Sequence, residues 1–268
     1  MVNETPVDPA LRWRESLNAW GVPESILAAA PRSPWGFAVA TFERAADEAL
    51  TRSSPTSDRL GEALPEHGSV LDVGCGAGAG SLPVADRAGL LIGVDESADM
   101  LEAFAARAAA AGVDAETVAG RWPDIADVVG IADVAVCRNV AYNVADLDTF
   151  AVALTEHTRH RVVLELTARH PLAWMNPLWQ AVHGLSRPER PTADDAVAVL
   201  VQAGLDVSVI TWDTPWLLAS EPPDQVVDFV LRRLCVGDDR RDEVEALLHS
   251  HPVPATQPAA TLWWAGGA

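Results

Sequence analysis

Val70-Leu-Asp-Val-Gly-Cys-Gly-Ala-Gly-Ala-Gly-Ser81 decides how the rest of this chain is read. The apolar run over 69–73 reads as a short strand, and glycine then fills every second position from Gly74 to Gly80. Glycines directly after a strand let the backbone turn tightly and let a ligand come close. A helix following such a loop would offer its free N–H groups to an anion. Two spacing rules are met at once. Gly74, Gly76 and Ala79 fit G-x-G-x-x-G/A, while Gly74, Gly76 and Gly78 fit G-x-G-x-G. Glycine spacing therefore leaves open both a pyrophosphate cofactor and one with no phosphate.

The neighbours of the loop separate the two. Asp72 stands two residues before Gly74, at the expected strand end. A carboxylate there is a poor neighbour for a pyrophosphate and a good one for a cationic ammonium. The second strand, Leu90-Leu-Ile-Gly-Val-Asp95, also ends in an acid, 19 residues beyond Gly76. A carboxylate at that position accepts hydrogen bonds from ribose hydroxyls, which both cofactor types carry.

Working outward, apolar runs at 69–73, 89–94, 115–119, 131–137, 161–167 and 205–212 alternate with helical patterns. One helix is expected straight after the glycine loop, and others over 97–111, 146–157, 171–182 and 192–203. Strand and helix alternating in this way predict an α/β fold, a parallel sheet with helices on both faces. Val162-Val-Leu164 is apolar on successive residues, as a strand buried on both sides requires. Residues 1–52 come before any strand and read as helical. Trp13, Leu17 and Trp20 share one helix face, Pro23 opens a second helix, Pro31 and Pro34 end it, and Phe37–Leu50 forms a third. Trp35 and Phe37 suit a lid over the cofactor or the packing of these helices. Arg52-Ser-Ser-Pro-Thr-Ser-Asp58 reads as a linker. The expected organisation is a helical cap over 1–52 and a ligand-binding domain over 53–268. That domain carries a helical insertion at about 221–258 and closes on a strand around Thr261-Leu-Trp-Trp264.

Composition narrows the function. The 268-residue chain has 19 basic and 38 acidic residues, a net charge of −19, and no lysine. Nucleic acid and anionic lipid should repel it, so a small-molecule partner is expected, with no nucleic acid and no membrane. The start, MVNETPVDPALRW, has no basic and apolar leader pattern, and no apolar run approaches a membrane span. Cys75, Cys137 and Cys235 are odd in number and lack C-x-x-C spacing, which fits a reduced, cytoplasmic setting with the cysteines as buried fillers. No His, Cys or acidic set has metal-ligand spacing, so no metal is expected.

The motifs in series, "VLDVGCGAGAGS", "LIGVDESADML", "VAGRWPDI" and "ADVAVCRNVAYNV", resemble those of the class I S-adenosylmethionine-dependent methyltransferase family. The resemblance covers roughly 60–215 and the terminal "TLWWAGG". It implies a Rossmann-like, doubly wound, mostly parallel seven-stranded sheet with an antiparallel last strand. It implies S-adenosylmethionine as cofactor and S-adenosylhomocysteine as product. By position, Asp72, Gly74, Cys75 and Gly76 match the loop against the methionine part of the cofactor, and Asp95 matches the ribose ligand. Glu96 and Met100 match positions beside the ribose and adenine. Gly120, Arg121 and Trp122 match the turn that flanks the adenine, and Arg138 and Asn139 match the strand end beneath the sulfonium. Many members carry an acid in the adenine turn. Here Arg121-Trp122 stand instead and Asp124 comes late, so an indole face against the ring is the expected substitute.

Three residues are candidates for acid–base chemistry: Tyr142, the sole tyrosine; Glu165, a lone acid inside "VVLELT"; and His170, following the same strand. Each has a structural alternative in hydrogen bonding or packing. His183 is a weaker candidate of the same kind. Trp174, Met175 and Trp179 are available as apolar pocket walls. The reaction read from the resemblance is methyl transfer to an O, N, S or C nucleophile of a small molecule, driven largely by proximity. The rivals are a non-catalytic S-adenosylmethionine-binding protein, a related fold catalysing another reaction, and an NAD-dependent oxidoreductase. The N-terminal helices suit a lid or the arm of a homodimer.

Overall fold

The computed structural model describes residues 8–36 and 39–268. Seven strands, β1 (Gly68–Val73), β2 (Ala88–Asp95), β3 (Asp114–Ala119), β4 (Ala132–Arg138), β5 (Thr158–Thr167), β6 (Ser208–Pro215) and β7 (Thr256–Ala265), make one sheet in the order β3-β2-β1-β4-β5-β7-β6. The first five pair in parallel, and β7 runs antiparallel between β5 and β6. The order reverses between β1 and β4. Loops leaving their carboxyl ends must diverge there, and the crevice between them is where ligands bind in sheets of this kind. The two central strands are buried on both faces, whereas the edge strand β3 is largely exposed.

The helices are α1 (Pro9–Asn18), α2 (Glu24–Ala29), α3 (Val39–Thr51), α4 (Pro55–Ala63), α5 (Ala98–Ala111), α6 (Leu147–Glu156), α7 (Asn176–His183), α8 (Ala193–Gln202), α9 (Pro223–Arg233) and α10 (Arg241–Ser250). Local chemistry places their ends. Ser97 accepts from the Met100 amide at the start of α5, and Gly112 closes that helix at φ +74°. Thr192 and Asp195 form a reciprocal capping box at the start of α8.

Two expectations are corrected. The helix after the glycine loop is absent: between β1 and β2 there is only a single 3-10 turn, Leu82–Val84. Positive φ at Gly74, Gly76 and Gly78 breaks the helical path, and Pro83 follows. Of the expected linker at 52–58, only 52–54 connect α3 to α4, and 55–58 form the first turn of α4. Ser54 caps it through the Ser57 amide and Pro55 takes the first helical position, a signature the polar composition hid. The helical insertion is present as α9 and α10, but β7 begins at Thr256, inside its expected span.

The N-terminal helices do not pack as a unit of their own. Ile26 and Leu27 of α2 pack on a core of Met175, Leu178, Trp179, Val227, Val230 and Leu231, which joins α2, α7 and α9. Met175 and Trp179 are therefore buried core, not pocket walls, and His183 is held by its Nε2 at the Leu234 carbonyl, 2.7 Å away. The helix α1 docks instead on the sheet domain. Trp13 is fully buried and donates from Nε1 to the Val144 carbonyl at 2.8 Å, and Trp20 donates to the Arg190 carbonyl at 2.6 Å. Replacing Trp13 by Ala removes this anchor and leaves a cavity, so Trp13→Ala should cost about 3–5 kcal/mol in urea unfolding. A cost under about 1 kcal/mol would show that α1 is not part of the cooperative unit.

Candidate functional site

The carboxyl ends of β1, β2 and β4 converge on the crevice, and the glycine loop is pinned at both of its ends. At its start, the Gly74 and Cys75 amides donate to the Val94 carbonyl at 2.8 and 3.1 Å, and the Gly76 amide donates to Asp95 Oδ2 at 3.0 Å. At its exit, the Ser81 amide and hydroxyl donate to Asp72 Oδ2 at 3.1 and 2.7 Å, and Arg138 Nη1 donates to the Ala79 carbonyl at 3.2 Å. Gly74 is demanded twice: its φ is +68°, and a Cβ there would fall into the Val140 side chain that follows β4.

The two loop acids differ in environment. Asp95 is half-buried, and its other oxygen accepts from the Ser97 amide at 2.9 Å. Each oxygen keeps lone-pair capacity for hydroxyl donors. Asp72 is fully buried, and burial outweighs the Ser81 hydrogen bonds, raising its carboxyl to about 7. Burial likewise pushes the Cys75 and Cys137 thiols far above their ordinary value, and both are free and buried. They are inert fillers rather than nucleophiles.

After β4, Asn139 adopts φ +59° and donates its amide to the Glu165 carbonyl at 2.8 Å, leaving an exposed side chain at the crevice. Asparagine is among the few residues that tolerate this conformation. Met100, in the first turn of α5, is buried, and Glu96 is exposed. The turn after β3 is tied to the site by the Gly120 amide on the Asp95 carbonyl, 3.0 Å, with Arg121 exposed beside it.

Several expectations change here. Trp122 does not offer an open indole face. It is 5% exposed, lies in the main core, and donates from Nε1 to the Phe150 carbonyl at 3.3 Å. Glu165 is 1% exposed and accepts from Arg138 Nε at 2.7 Å on one oxygen and from the Thr56 hydroxyl at 2.5 Å on the other. Both oxygens are engaged and the carboxylate is buried, which places it as a structural acceptor. The Tyr142 hydroxyl donates to the Thr167 carbonyl at 2.7 Å, and burial raises its phenol above the ordinary range. The His170 ring stacks on Trp20 with centroids 3.7 Å apart, and Nδ1 accepts from the Leu172 amide at 3.3 Å. Burial first, and the Arg187 charge second, lower its pKa to about 3, so the imidazole is neutral and weakly basic. Trp35 is 52% exposed, and Phe37 lies outside the described residues.

One residue beside the glycine loop carried little sequence signal. Phe42 of α3 lies over the glycine loop, 3.3 Å from where a Gly76 Cβ would stand. Ion pairs of Arg107 with Asp47 and of Arg44 with Glu221 hold α3 there. Only the helical periodicity of 39–51 hinted at an inward-facing aromatic.

The donor set suits a cation bearing hydroxyl groups. It offers two carboxylates, bare glycine backbone and one guanidinium already paired with an acid. No group of His, Cys, Asp and Glu able to hold a metal is found among the described residues. No helix among them is long and apolar enough to cross a membrane.

Comparisons agree with this geometry. A family model described as "Methyltransferase domain" matches residues 70–161. The chain is similar in structure to the YcgJ protein from Bacillus subtilis, with a TM-score of 0.56 and 17% identity over 83% of this chain and 99% of that one. It is similar to a putative methyltransferase from Bacillus halodurans, TM-score 0.53 and 14% identity, over 80% of this chain and 100% of that one. It is also similar to magnesium protoporphyrin IX methyltransferase from Synechocystis with bound S-adenosylhomocysteine, TM-score 0.51 and 16% identity, over 96% and 93%. Identities this low establish the fold. No curated protein matches in sequence.

A carboxyl whose pKa rises on folding holds its proton more tightly in the native chain. The contribution of Asp72 to stability therefore falls as pH rises from its unfolded value, about 4, through about 7. Asp72→Asn removes that dependence. The stability of the ligand-free variant relative to wild type should climb between about pH 4 and 7 and level off above. Urea melts across the range check this, and a flat difference rules out a late-ionising Asp72.

The crevice and the pinned loop thus fall within the segment, 70–161, that matches a methyltransferase domain, and that segment is set in a Rossmann-like sheet of seven strands.

Proposed function

We propose that this chain transfers a methyl group from S-adenosylmethionine to an O, N, S or C nucleophile of a small molecule, chiefly by holding the two in line. The observation that carries this reading is the acidic crevice at the β1/β4 divergence, with Asp72 and Asp95 both set against the glycine loop. Asp95 is assigned to the ribose hydroxyls and Asp72 to the positive end of the methionine part. The bare backbone of Gly74, Cys75 and Gly76 gives the close approach. Met100, Glu96, Gly120 and Arg121 border the adenine side. Trp122 is left out of that role because its indole is committed to the core. Asn139 and Arg138 stand where the acceptor side begins.

When bound, the cofactor supplies a methyl group already activated on a sulfonium, so the protein's task is alignment and exclusion of water. Tyr142, Glu165 and His170 are each occupied by a hydrogen bond or a stack, and none is assigned as a base. That suits an acceptor that arrives already nucleophilic. A cytoplasmic site of action fits three buried, free cysteines.

S-adenosylhomocysteine and S-adenosylmethionine should each raise the unfolding temperature, by the equivalent of about 2.7 kcal/mol at a hundredfold excess over Kd, and NAD should not. Stabilisation by NAD alone would overturn the reading. Asp95→Ala should weaken S-adenosylhomocysteine binding by about 10- to 100-fold in calorimetry. Release of S-adenosylhomocysteine with a panel of small acceptors then tests turnover.

A further inference from the structure

A buried chain of hydrogen bonds crosses the sheet from its edge to the glycine loop, on the face covered by α4. The Trp212 indole of β6 donates to Thr261 Oγ1 of β7 at 3.1 Å. Thr261 lies 2.8 Å from the Thr56 hydroxyl of α4, and Thr56 donates to Glu165 of β5 at 2.5 Å. The direction is fixed. Thr56 has one hydrogen and spends it on Glu165, so Thr261 must donate to Thr56 and in turn accept from Trp212. Every donor thus points to Glu165, which also accepts from Arg138 Nε of β4 at 2.7 Å. Arg138 then carries the Ala79 carbonyl on Nη1 at 3.2 Å, at the exit of the loop. Thr56, Glu165 and Thr261 are each at most 2% exposed.

Arg138 brings a full positive charge to the glycine loop, where it acts on buried Asp72 alongside half-buried Asp95. Left unpaired, it would draw on the field of Asp72 and repel a cation. Glu165 is the only carboxylate within ion-pair distance of it among the described residues. We propose that Glu165 is a positioning residue: it holds Arg138 beneath the Ala79 carbonyl and cancels its charge, so that the acids of the loop govern how tightly a cationic cofactor is bound. The cofactor part of this inference rests on the proposed function; the loop-anchoring part does not.

S-adenosylmethionine carries one positive charge more than S-adenosylhomocysteine, which makes the pair a charge probe. In wild type and Glu165→Gln, calorimetry gives Kd for both. The variant should weaken S-adenosylmethionine about five- to tenfold more than S-adenosylhomocysteine. Removing both charges, in Arg138→Met with Glu165→Gln, should return the ratio to the wild-type value. Equal weakening of both compounds, no change in either, or a ratio the double variant does not restore would overturn the charge role. Thr56→Val keeps Glu165 and removes one donor, so it serves if Glu165→Gln does not fold. Amide exchange of the ligand-free protein should then speed up over 74–82, and unchanged exchange there would overturn the anchoring role. Wild type that binds neither compound would defeat the proposed function, whereas wild type that binds both with an unaltered variant ratio defeats only this inference.

Discussion

The reversal of strand order between β1 and β4 is the constraint on which the site depends. It forces two loops apart at the middle of the sheet and leaves the space between them to a ligand. The β1 loop has no helix to stiffen it, since only a 3-10 turn precedes β2. Ordering such a segment costs about 1–2 kcal/mol per residue, which the loop offsets through bonds to its neighbours. The Val94 carbonyl, Asp95, Asp72 and Arg138 all reach it from strand ends. Rigidity that a following helix would supply comes here from the sheet itself.

That arrangement concentrates acids where the backbone is barest. Burying Asp72 is expensive, and the two Ser81 donors offset only part of the cost, which is why its carboxyl titrates near neutrality rather than near 4. A cation brought against the loop would favour the charged form. Strain of this sort, tolerated at the end of the central strand, is characteristic of sites arranged for a ligand rather than for stability. Arg138 would undo the effect if it stood alone, and its pairing with buried Glu165 keeps the crevice acidic.

The alternation of strand and helix was legible in the sequence because fully buried parallel strands must be apolar on consecutive residues, as in Val162-Val-Leu164. The crevice acids were legible because Asp72 and Asp95 fall at strand ends. What could not be seen was anything decided by contacts far apart in the chain. The polar run at 52–58 looks like a linker until Ser54 is seen to cap α4. Trp122 sits in a turn beside the site, yet its indole turns inward to Phe150. One hydrophobic cluster joins α2 to α7 and α9, segments separated by well over a hundred residues, and no local pattern announces that partnership. Phe42 reads as one more apolar residue on a helix.

Tyr142 and His170 show how a residue can be rightly singled out and still do a different job. Both lie where the N-terminal segment packs against the loops after β4 and β5, in a row of rings drawn from the two. Trp13 stacks on Tyr142 at 5.7 Å, Tyr142 meets His170 edge-on at 5.3 Å, and His170 stacks on Trp20 at 3.7 Å. Two of these rings belong to the N-terminal segment and two to the loops after β4 and β5. Ring contacts of this kind add about 0.5–1.5 kcal/mol each beyond area burial, and they keep water out. Under the proposed methyl transfer such exclusion matters, because water is itself a nucleophile. A neutral, weakly basic His170 fits such packing better than a charged one. The polar side chains of Tyr142 and His170 are therefore committed to packing and hydrogen bonds inside the protein, which leaves neither of them poised as a base.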